Sequence, residues 1–531
     1  MTFPPSASDR VMAAAPGRAR MTDLLGAKMK TLADAAAFAD RARAAGETVV
    51  LAHGCFDLLH MGHVRHLQEA RSHGTVLIVT ITPDRFVNKG PNRPVFTETL
   101  RMEMLASLSF VDCVAINTGP SAEPAIEAIQ PNVYVKGQDY ADSAQDLTGK
   151  IVDERRLVER LGGTIAFTEN ITFSSTELIN RFFNPFDPQV RGFLDELRAE
   201  GGLDEIRDLI ESVASMRVLV VGDTIIDEYR YVQPMSKTPK ENLIATLHQS
   251  GELFAGGVLA TANHVASLCR EVDVLTVLGG EDSHADFVAA HMKPNVRLRT
   301  LMRDKGPTTR KCRYIDQSSM RKLFEVYYMD DTPLGGALED ELAGRIAAAA
   351  RDYDLVLVND FGHGMITAPV VRALVENARF LAVNTQTNSA NFGYNLITKY
   401  PRADYVCIDA AEARLASGSK HDSVEAIIHD RLAPAIHCPR IIVTQASRGC
   451  TGFVHGEPPC EVPALADRVV DTVGAGDAFL AVTAPLMAAG GKLRHVAFIG
   501  NVAGALKVGI VGHRTSVDKT SLIKSVASLL R

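Results

Sequence analysis

Two successive α/β domains, each a parallel sheet covered by helices on both faces, are what this 531-residue sequence predicts. Three observations carry that reading. The chain is longer than a single hydrophobic core normally serves. Short β-branched runs alternate with helical patterns along most of its length. Two of those runs, TVVLAHG (48–54) and MRVLVVGD (216–223), look like fresh starts, with the two-proline stretch NPFDPQVRG (184–192) between them.

The remaining elements follow in order. Residues 1–30 hold Pro4, Pro5, Ser6, Ser8, Pro16 and Gly17 among alanines and arginines, lack a signal-peptide core, and read as a disordered tail. In the first domain (31–185), strands are expected at 48–54, 75–82, 113–118, 132–137 and 164–169, with a helix from His60 to Gly74. Residues 186–215 read as a linker with connecting helices, periodic around a Gly-Gly break. In the second domain (216–531), strands are expected at 216–223, 273–280, 354–360, 380–385, 405–409 and 440–445. Sheets of this kind bind ligands at the carboxyl ends of their strands.

Composition narrows the function. The chain is 46% hydrophobic and 22% charged, with a net charge of −7, which disfavours nucleic-acid and membrane-surface roles. Eight cysteines are scattered without a C-x-x-C pair, against a zinc ribbon or disulfide scaffold and in keeping with a reducing cytoplasm. No apolar run reaches membrane-span length.

The stretch HGCFDLLHMGHVRHLQEA (53–70) carries the first candidate site. Gly54 ends a strand, and His60 and His63 share one side of the first helical turn that follows. Free N–H groups and the helix dipole favour an anion there, and Gly62 lets a phosphate approach the backbone. Imidazoles so placed can stabilise charge growing on a phosphate. Two ordinary surface histidines remain an alternative, as does a metal pair, although HExxH spacing is missing. The surroundings add weight. GCFDLLHMGH, NKGPNRPV (88–95) followed by Arg101, VYVKGQDY (133–140) and FSSTELI (173–179) together resemble the motifs of the cytidylyltransferase-like nucleotidyltransferases, over roughly 45–183. The resemblance implies a Rossmann-like HxGH fold. It also implies attack by an acceptor phosphate on the α-phosphate of ATP or CTP, with pyrophosphate released. His60 and His63 would be catalytic. Gly54, Phe56, Gly62, Lys89, Arg93, Lys136, Gly137, Ser174, Ser175 and Thr176 would hold nucleotide and phosphates. His53 departs from the pattern, standing where relatives have asparagine or threonine.

VVDTVGAGDAFLA (469–481) carries the second site. Gly474, Ala475 and Gly476 expose consecutive N–H groups at a helix start, and Asp477 lies at the mouth of that anion hole, placed to take a proton from an attacking hydroxyl. A helix start with glycines for packing is the plainer alternative. D-T-x-G-A-G-D-x-F resembles the signature of the ribokinase-like (PfkB) carbohydrate kinases. VVGDTIIDEY (220–229), AGGVLATANHVA (255–266), VNDFGHGMIT (358–367), DAAE (409–412) and VTQASRG (443–449) extend the likeness over about 217–515. It implies a ribokinase-like fold with Asp477 catalytic. Asp227, Gly256, Gly257 and Asn263 would bind sugar, Thr444 and Gly449 the nucleotide, and Glu412 would organise magnesium. Departures gather at the acceptor end. His363 replaces a lysine, Asp409 an asparagine and Ala446 a glycine, five residues separate Gly257 from Asn263, and NTQTNSANFGYN (384–395) replaces a shorter loop, where it reads as a sugar-contacting or a solvated segment.

Together the halves resemble the bifunctional heptose kinase/adenylyltransferase family with the domain order reversed. A cytoplasmic bifunctional enzyme of nucleotide-sugar synthesis is expected, using Mg2+, ATP as phosphoryl donor and ATP or CTP as nucleotidyl donor, with sugar phosphates as small-molecule partners. No nucleic-acid or membrane partner is expected, and a homodimer is compatible with the resemblance. The alternative is a transferase for a polyol or other non-sugar phosphate, with a kinase-like half that is repurposed, inactive or regulatory.

Overall fold

A computed structural model describes residues 26–87, 94–137, 151–168, 187–238, 241, 243–466 and 469–530. The chain divides into two compact units, Met1–Asn184 and Pro185–Arg531.

In the first unit, β1 (Met29–Lys30), β2 (Val49–Gly54), β3 (Val76–Ile81), β4 (Cys113–Ile116), β5 (Val133–Gly137) and β6 (Thr164–Thr168) form one parallel sheet ordered β1-β4-β3-β2-β5-β6. Side chains alternate between its faces. Val49, Leu51 and Ile78 enter one buried cluster, while Val50, Ala52, Leu77 and Val79 enter another. The chain proceeds outward from β2 through β3 and β4, then returns to lay β5 on the other side of β2. That reversal opens a crevice at the carboxyl ends of β2 and β5, where Gly54 and Gly137 end their strands. Met29–Lys30, expected within the tail, instead pairs with β4 as an edge strand, while residues 1–25 lie outside the described residues. Helix α1 (Met61–Ser72) follows β2.

The second unit begins at Pro185. The segment expected as a linker with connecting helices forms two helices on either side of the Gly-Gly break, α2 (Pro188–Ala199) and α3 (Gly202–Ser212). They bury Phe193, Leu194, Leu197, Ile206 and Ile210. Ion pairs Lys492–Glu205 and Lys519–Glu211 and a hydrogen bond from Arg198 to the Leu529 carbonyl bind them to the end of the chain. Their charged sequence hides amphipathic faces that need this partner. Among the helices that follow are α4 (Val258–Val265), α5 (Ala410–Ser417), α6 (Ala475–Ala488), α7 (Leu493–Lys507) and α8 (Lys519–Leu530).

Its strands are β7 (Arg217–Gly222), β8 (Thr224–Lys237), β9 (Ile244–Gly257), β10 (Glu271–Leu278), β11 (Val296–Met302), β12 (Arg310–Asp316), β13 (Arg321–Tyr328), β14 (Leu355–Asp360), β15 (Leu381–Thr385), β16 (Tyr405–Asp409), β17 (Arg440–Thr444), β18 (Cys450–Val454) and β19 (Cys460–Val462). Nine form a sheet ordered β11-β10-β7-β14-β15-β16-β17-β18-β19, parallel as far as β17 and antiparallel beyond. The other four form a separate sheet, β13-β12-β8-β9, which the sequence reading did not anticipate. At Asp223 the chain leaves the large sheet and re-emerges as β8. One face of β8 and its partners buries Tyr229, Tyr231, Phe254 and Ile315, while the other carries Glu228, Arg230 and Arg310. Charged residues interrupt β8 and β12, and β9 and β13 are largely exposed, so these strands show no continuous apolar run.

Candidate functional sites

In the first unit the turn after β2 positions both histidines. Phe56 adopts φ 48°, and its ring meets His63 edge-on at 5.3 Å. Asp57, fully buried, accepts the Val95 N–H at 2.6 Å. Buried Arg101 donates to the carbonyls of Cys55 and Thr82 and to Asp84, so it braces the turn and not a ligand. His60 is the N-cap of α1, its Nδ1 accepting the Gly62 N–H at 3.0 Å. That bond leaves the proton on Nε2, a donor that is buried and without a partner among the described residues. His60 and His63 lie with ring centroids 4.0 Å apart. Burial lowers the His60 pKa, favouring a neutral ring that donates hydrogen bonds.

The third histidine on this face, His66, was visible in the i, i+3 spacing but not used. Its Nδ1 meets Thr168 Oγ1 at 2.7 Å and ties α1 to β6. His53 sits between Thr80 (2.9 Å) and Thr82 (3.4 Å). Lys136 forms an ion pair with Glu154 at 3.1 Å, so any phosphate must compete with that carboxylate. Lys89, Arg93, Ser174, Ser175 and Thr176 lie outside the described residues. Among the described residues no three His, Cys, Asp or Glu side chains gather as metal ligands.

In the second unit the site lies at the carboxyl ends of β7, β14 and β15, beside the amino terminus of α6. Gly474 is the left-handed N-cap of α6 at φ 77°. A Cβ there would sit 2.3 Å from Cε1 of His513, whereas one on Gly476 would meet nothing within 4 Å. The helix start is therefore walled by His513 on one side and open at Gly476, as an approaching phosphate requires. Asp477 is buried in the first turn. Its Oδ1 accepts from Asn359 Nδ2 at 3.1 Å and Gln386 Nε2 at 2.8 Å, and burial raises its pKa. Both are properties of a general base fixed by its neighbours.

Facing it on β8, buried Asp227 pairs with Arg313 and with His513 Nε2 at 3.4 Å. The Arg313 charge, together with the hydrogen bond from His513, holds its carboxyl far below the usual range. Gly256 is required here, since a Cβ would fall 2.0 Å from Asp227 Oδ2. Gly257 begins α4.

Several expected roles change. Asn263 donates to the His291 carbonyl and accepts from the Lys293 N–H, so it anchors a neighbouring loop instead of contacting sugar. The position on α4 joined to the site is Thr261, bonded to Asn359 at 2.6 Å. The 384–395 segment exposes Phe392 and Tyr394 to solvent but ties its asparagines to backbone carbonyls. Asn388 and Asn391 donate to the Phe361 carbonyl and Asn395 to that of Asp360, while Asn384 reaches the Cys407 carbonyl. Glu412 forms a capping box with Asp409 on α5 and also accepts the Thr387 N–H at 3.0 Å. Asp409 thereby performs the capping an asparagine would. Thr444 ends β17, and the turn after it carries Ala446 at φ 51° and Gly449 at φ 93°. His363 is buried with its pKa pushed down to about 3, its Nε2 3.3 Å from Asn388.

Lys311, Arg313, Asn359, Gln386 and His513 were missed. Lys311 and Arg313 alternate on β12, so period-two spacing of cations in RKCRYID was the available signal, once that run is known to be a strand. His513 carried none.

Glu412 keeps a lone pair on each oxygen after its two backbone bonds, and its carboxyl is pushed up to about 8 by burial and by Asp409 and Asp477. One or two such carboxylates suit a magnesium ion that arrives with nucleotide phosphates.

A strand-to-helix anion hole with a buried acid in its first turn, beneath a four-stranded sheet bearing a second acid, defines an α/β phosphoryl-transfer protein of the sugar-kinase class. The family model described as pfkB family carbohydrate kinase matches residues 215–520, more than half of the chain, and the chain belongs to that family. Residues 51–181 match the family model described as Cytidylyltransferase-like. The Bifunctional protein HldE of Rhodopseudomonas palustris (strain TIE-1) is 27% identical over 308 residues, covering 56% of this chain and 61% of that protein. The HldE of Citrifermentans bemidjiense is 25% identical over 314 residues, covering 59% and 63%. The chain thus spans less than two thirds of the length of these curated relatives. Among solved structures, Arabidopsis thaliana ribokinase complexed with ribose and ATP is 22% identical with a TM-score of 0.44, covering 60% of this chain and 99% of that one. The ribokinase of Thermotoga maritima is 17% identical with a TM-score of 0.46, covering 59% and 99%.

Proposed function

We propose that the protein is a bifunctional enzyme of nucleotide-sugar synthesis. Its second unit phosphorylates a sugar or sugar phosphate, heptose-like in class, at the expense of ATP. Its first unit transfers a nucleotidyl group from ATP or CTP to a sugar phosphate and releases pyrophosphate. The observation that carries the reading is the placement of Asp477 in the first turn of α6, beside the open amide positions at Gly476 and opposite Asp227.

In the kinase reaction Asp227 takes hydrogen bonds from acceptor hydroxyls, Asp477 accepts the proton of the attacking hydroxyl, and the amides after Gly474 hold the transferred phosphoryl group. Magnesium, when bound, neutralises charge on the phosphates. In the transferase reaction the acceptor phosphate is already ionised and needs no strong base. His60 Nε2–H and His63 stabilise the triphosphate, and Lys136 neutralises phosphate charge. The eight cysteines are all free thiols, in keeping with action in the cytoplasm.

Two assays test the proposal. Incubation with radiolabelled ATP, magnesium and a panel of sugars and sugar phosphates, heptose 7-phosphate included, measures phosphorylation, with Asp477→Asn as control. Pyrophosphate release from ATP or CTP with sugar 1-phosphates, and with glycerol phosphate for the non-sugar alternative, measures the transferase, with His63→Ala as control. Phosphorylation that survives Asp477→Asn, or release that survives His63→Ala, overturns the corresponding site.

A further inference from the structure

Lys507 is among the largest fully buried side chains of the protein, and none of the steps above uses it. It lies at the last residue of α7, and its ammonium donates to the carbonyls of Val473 and Gly512, both at 2.7 Å. Those residues have matching positions in the site. Val473 immediately precedes Gly474, the cap of the anion hole, and Gly512 immediately precedes His513, the side chain that walls it. The N–H groups of the same two residues are also gathered, by one carboxylate. Asp471 accepts from Val473 at 3.2 Å and from Gly512 at 2.8 Å. Asp471 is fixed in turn by Tyr229 at 2.6 Å and Lys322 at 2.7 Å, which belong to the four-stranded sheet.

A buried anion thus collects two N–H groups and a buried cation collects the two carbonyls of the same residues, locking the segment 471–474 to the segment 512–513. A fully buried ammonium whose ligands are backbone carbonyls occupies the kind of seat that a small monovalent cation takes: oxygen-lined, with a carboxylate nearby for charge. We infer that Lys507 is a positioning residue that serves as the chain's own built-in monovalent cation, holding the anion hole and His513 in register so that phosphoryl transfer needs no added potassium. This rests on the kinase reading for its consequence but not for its test.

The experiment uses the full chain. Thermal unfolding is followed for the native protein, Lys507→Ala and Lys507→Met in potassium, ammonium and tetramethylammonium chloride at equal ionic strength. Sugar phosphorylation by the panel above is measured in the same salts. The native protein should behave alike in all three. Lys507→Ala, which leaves an empty oxygen-lined seat, should be destabilised in tetramethylammonium and recover in potassium or ammonium, its phosphorylation falling about tenfold or more and returning in part. Lys507→Met fills the seat without charge and should lose activity without any response to salt.

Activation of the native protein by potassium overturns the inference. So does a Lys507→Ala protein indifferent to the cation, including one that folds in none of the salts, or full activity in Lys507→Met. Cation-dependent stability of Lys507→Ala combined with no phosphorylation of any acceptor by the native protein would sustain the seat while removing the kinase reading.

Discussion

Ala446 shows how much a single residue discloses. It occupies the left-handed region at φ 51°, at the place where relatives carry the first glycine of V-T-x-G-x-x-G. An L-residue there is strained by about 1–2 kcal/mol. Ala446→Gly should stabilise the second unit by up to about 1 kcal/mol, part of the relief being offset by greater freedom in the unfolded chain. Urea unfolding checks it, and a loss of stability would refute it. Gly474 is the converse case. Gly474→Ala places a methyl 2.3 Å from His513 in a conformation alanine resists, so sugar phosphorylation should fall by at least about a hundredfold. Asp477→Asn removes the proton acceptor and should cost about 10²–10⁴-fold in kcat.

At the scale of elements, His66 joins α1 to β6 through Thr168. Burial holds its pKa down at about 4, so the folded first unit keeps this ring neutral while the unfolded chain protonates it near 6.5. The unfolded state then binds more protons between these values. The stability contributed by the neutral ring is complete above pH 6.5 and is lost as pH falls towards 4, at up to about 1.4 kcal/mol per pH unit. His66→Gln should flatten this acid limb in denaturant titrations at pH 4.5, 5.5 and 7; an unchanged slope would refute the assignment. Helices α2 and α3 give a second test. A fragment starting at residue 187 should be soluble and fold cooperatively, whereas one starting at 216, stripped of the faces carrying Phe193, Leu197, Ile206 and Ile210, should aggregate or unfold at lower temperature.

At the scale of the whole molecule, each compact unit contains its own site, so damage to one should leave the other working. His63→Ala should abolish pyrophosphate release with phosphorylation unchanged, and Asp477→Asn the reverse. Coupled loss in either variant would show that the sites depend on each other. The sequence also divides unevenly in legibility. The buried parallel strands were readable because both of their faces are apolar; YVCID and LVLVND are unmistakable runs. The strands β8, β9, β12 and β13 were not, because charged residues interrupt β8 and β12 and much of β9 and β13 is exposed. Since Lys311 and Arg313 lie on β12, the cations beside Asp227 stayed hidden with the strand.

What the sequence by itself determined is local: glycine-rich helix starts, the histidines of HMGH and the aspartate of GAGD are contiguous in the chain, and their chemistry follows from backbone geometry over a few residues. The tertiary structure alone decided which distant groups meet them. Whether Asn263 faced sugar or anchored a loop, whether the asparagines of 384–395 were free or bonded to backbone, and how Lys507, Asp471 and His513 converge on Gly474 all depend on contacts between segments far apart in sequence. Such pairings are set by the packing of whole elements, in which a buried polar group takes whatever partner the fold brings to it.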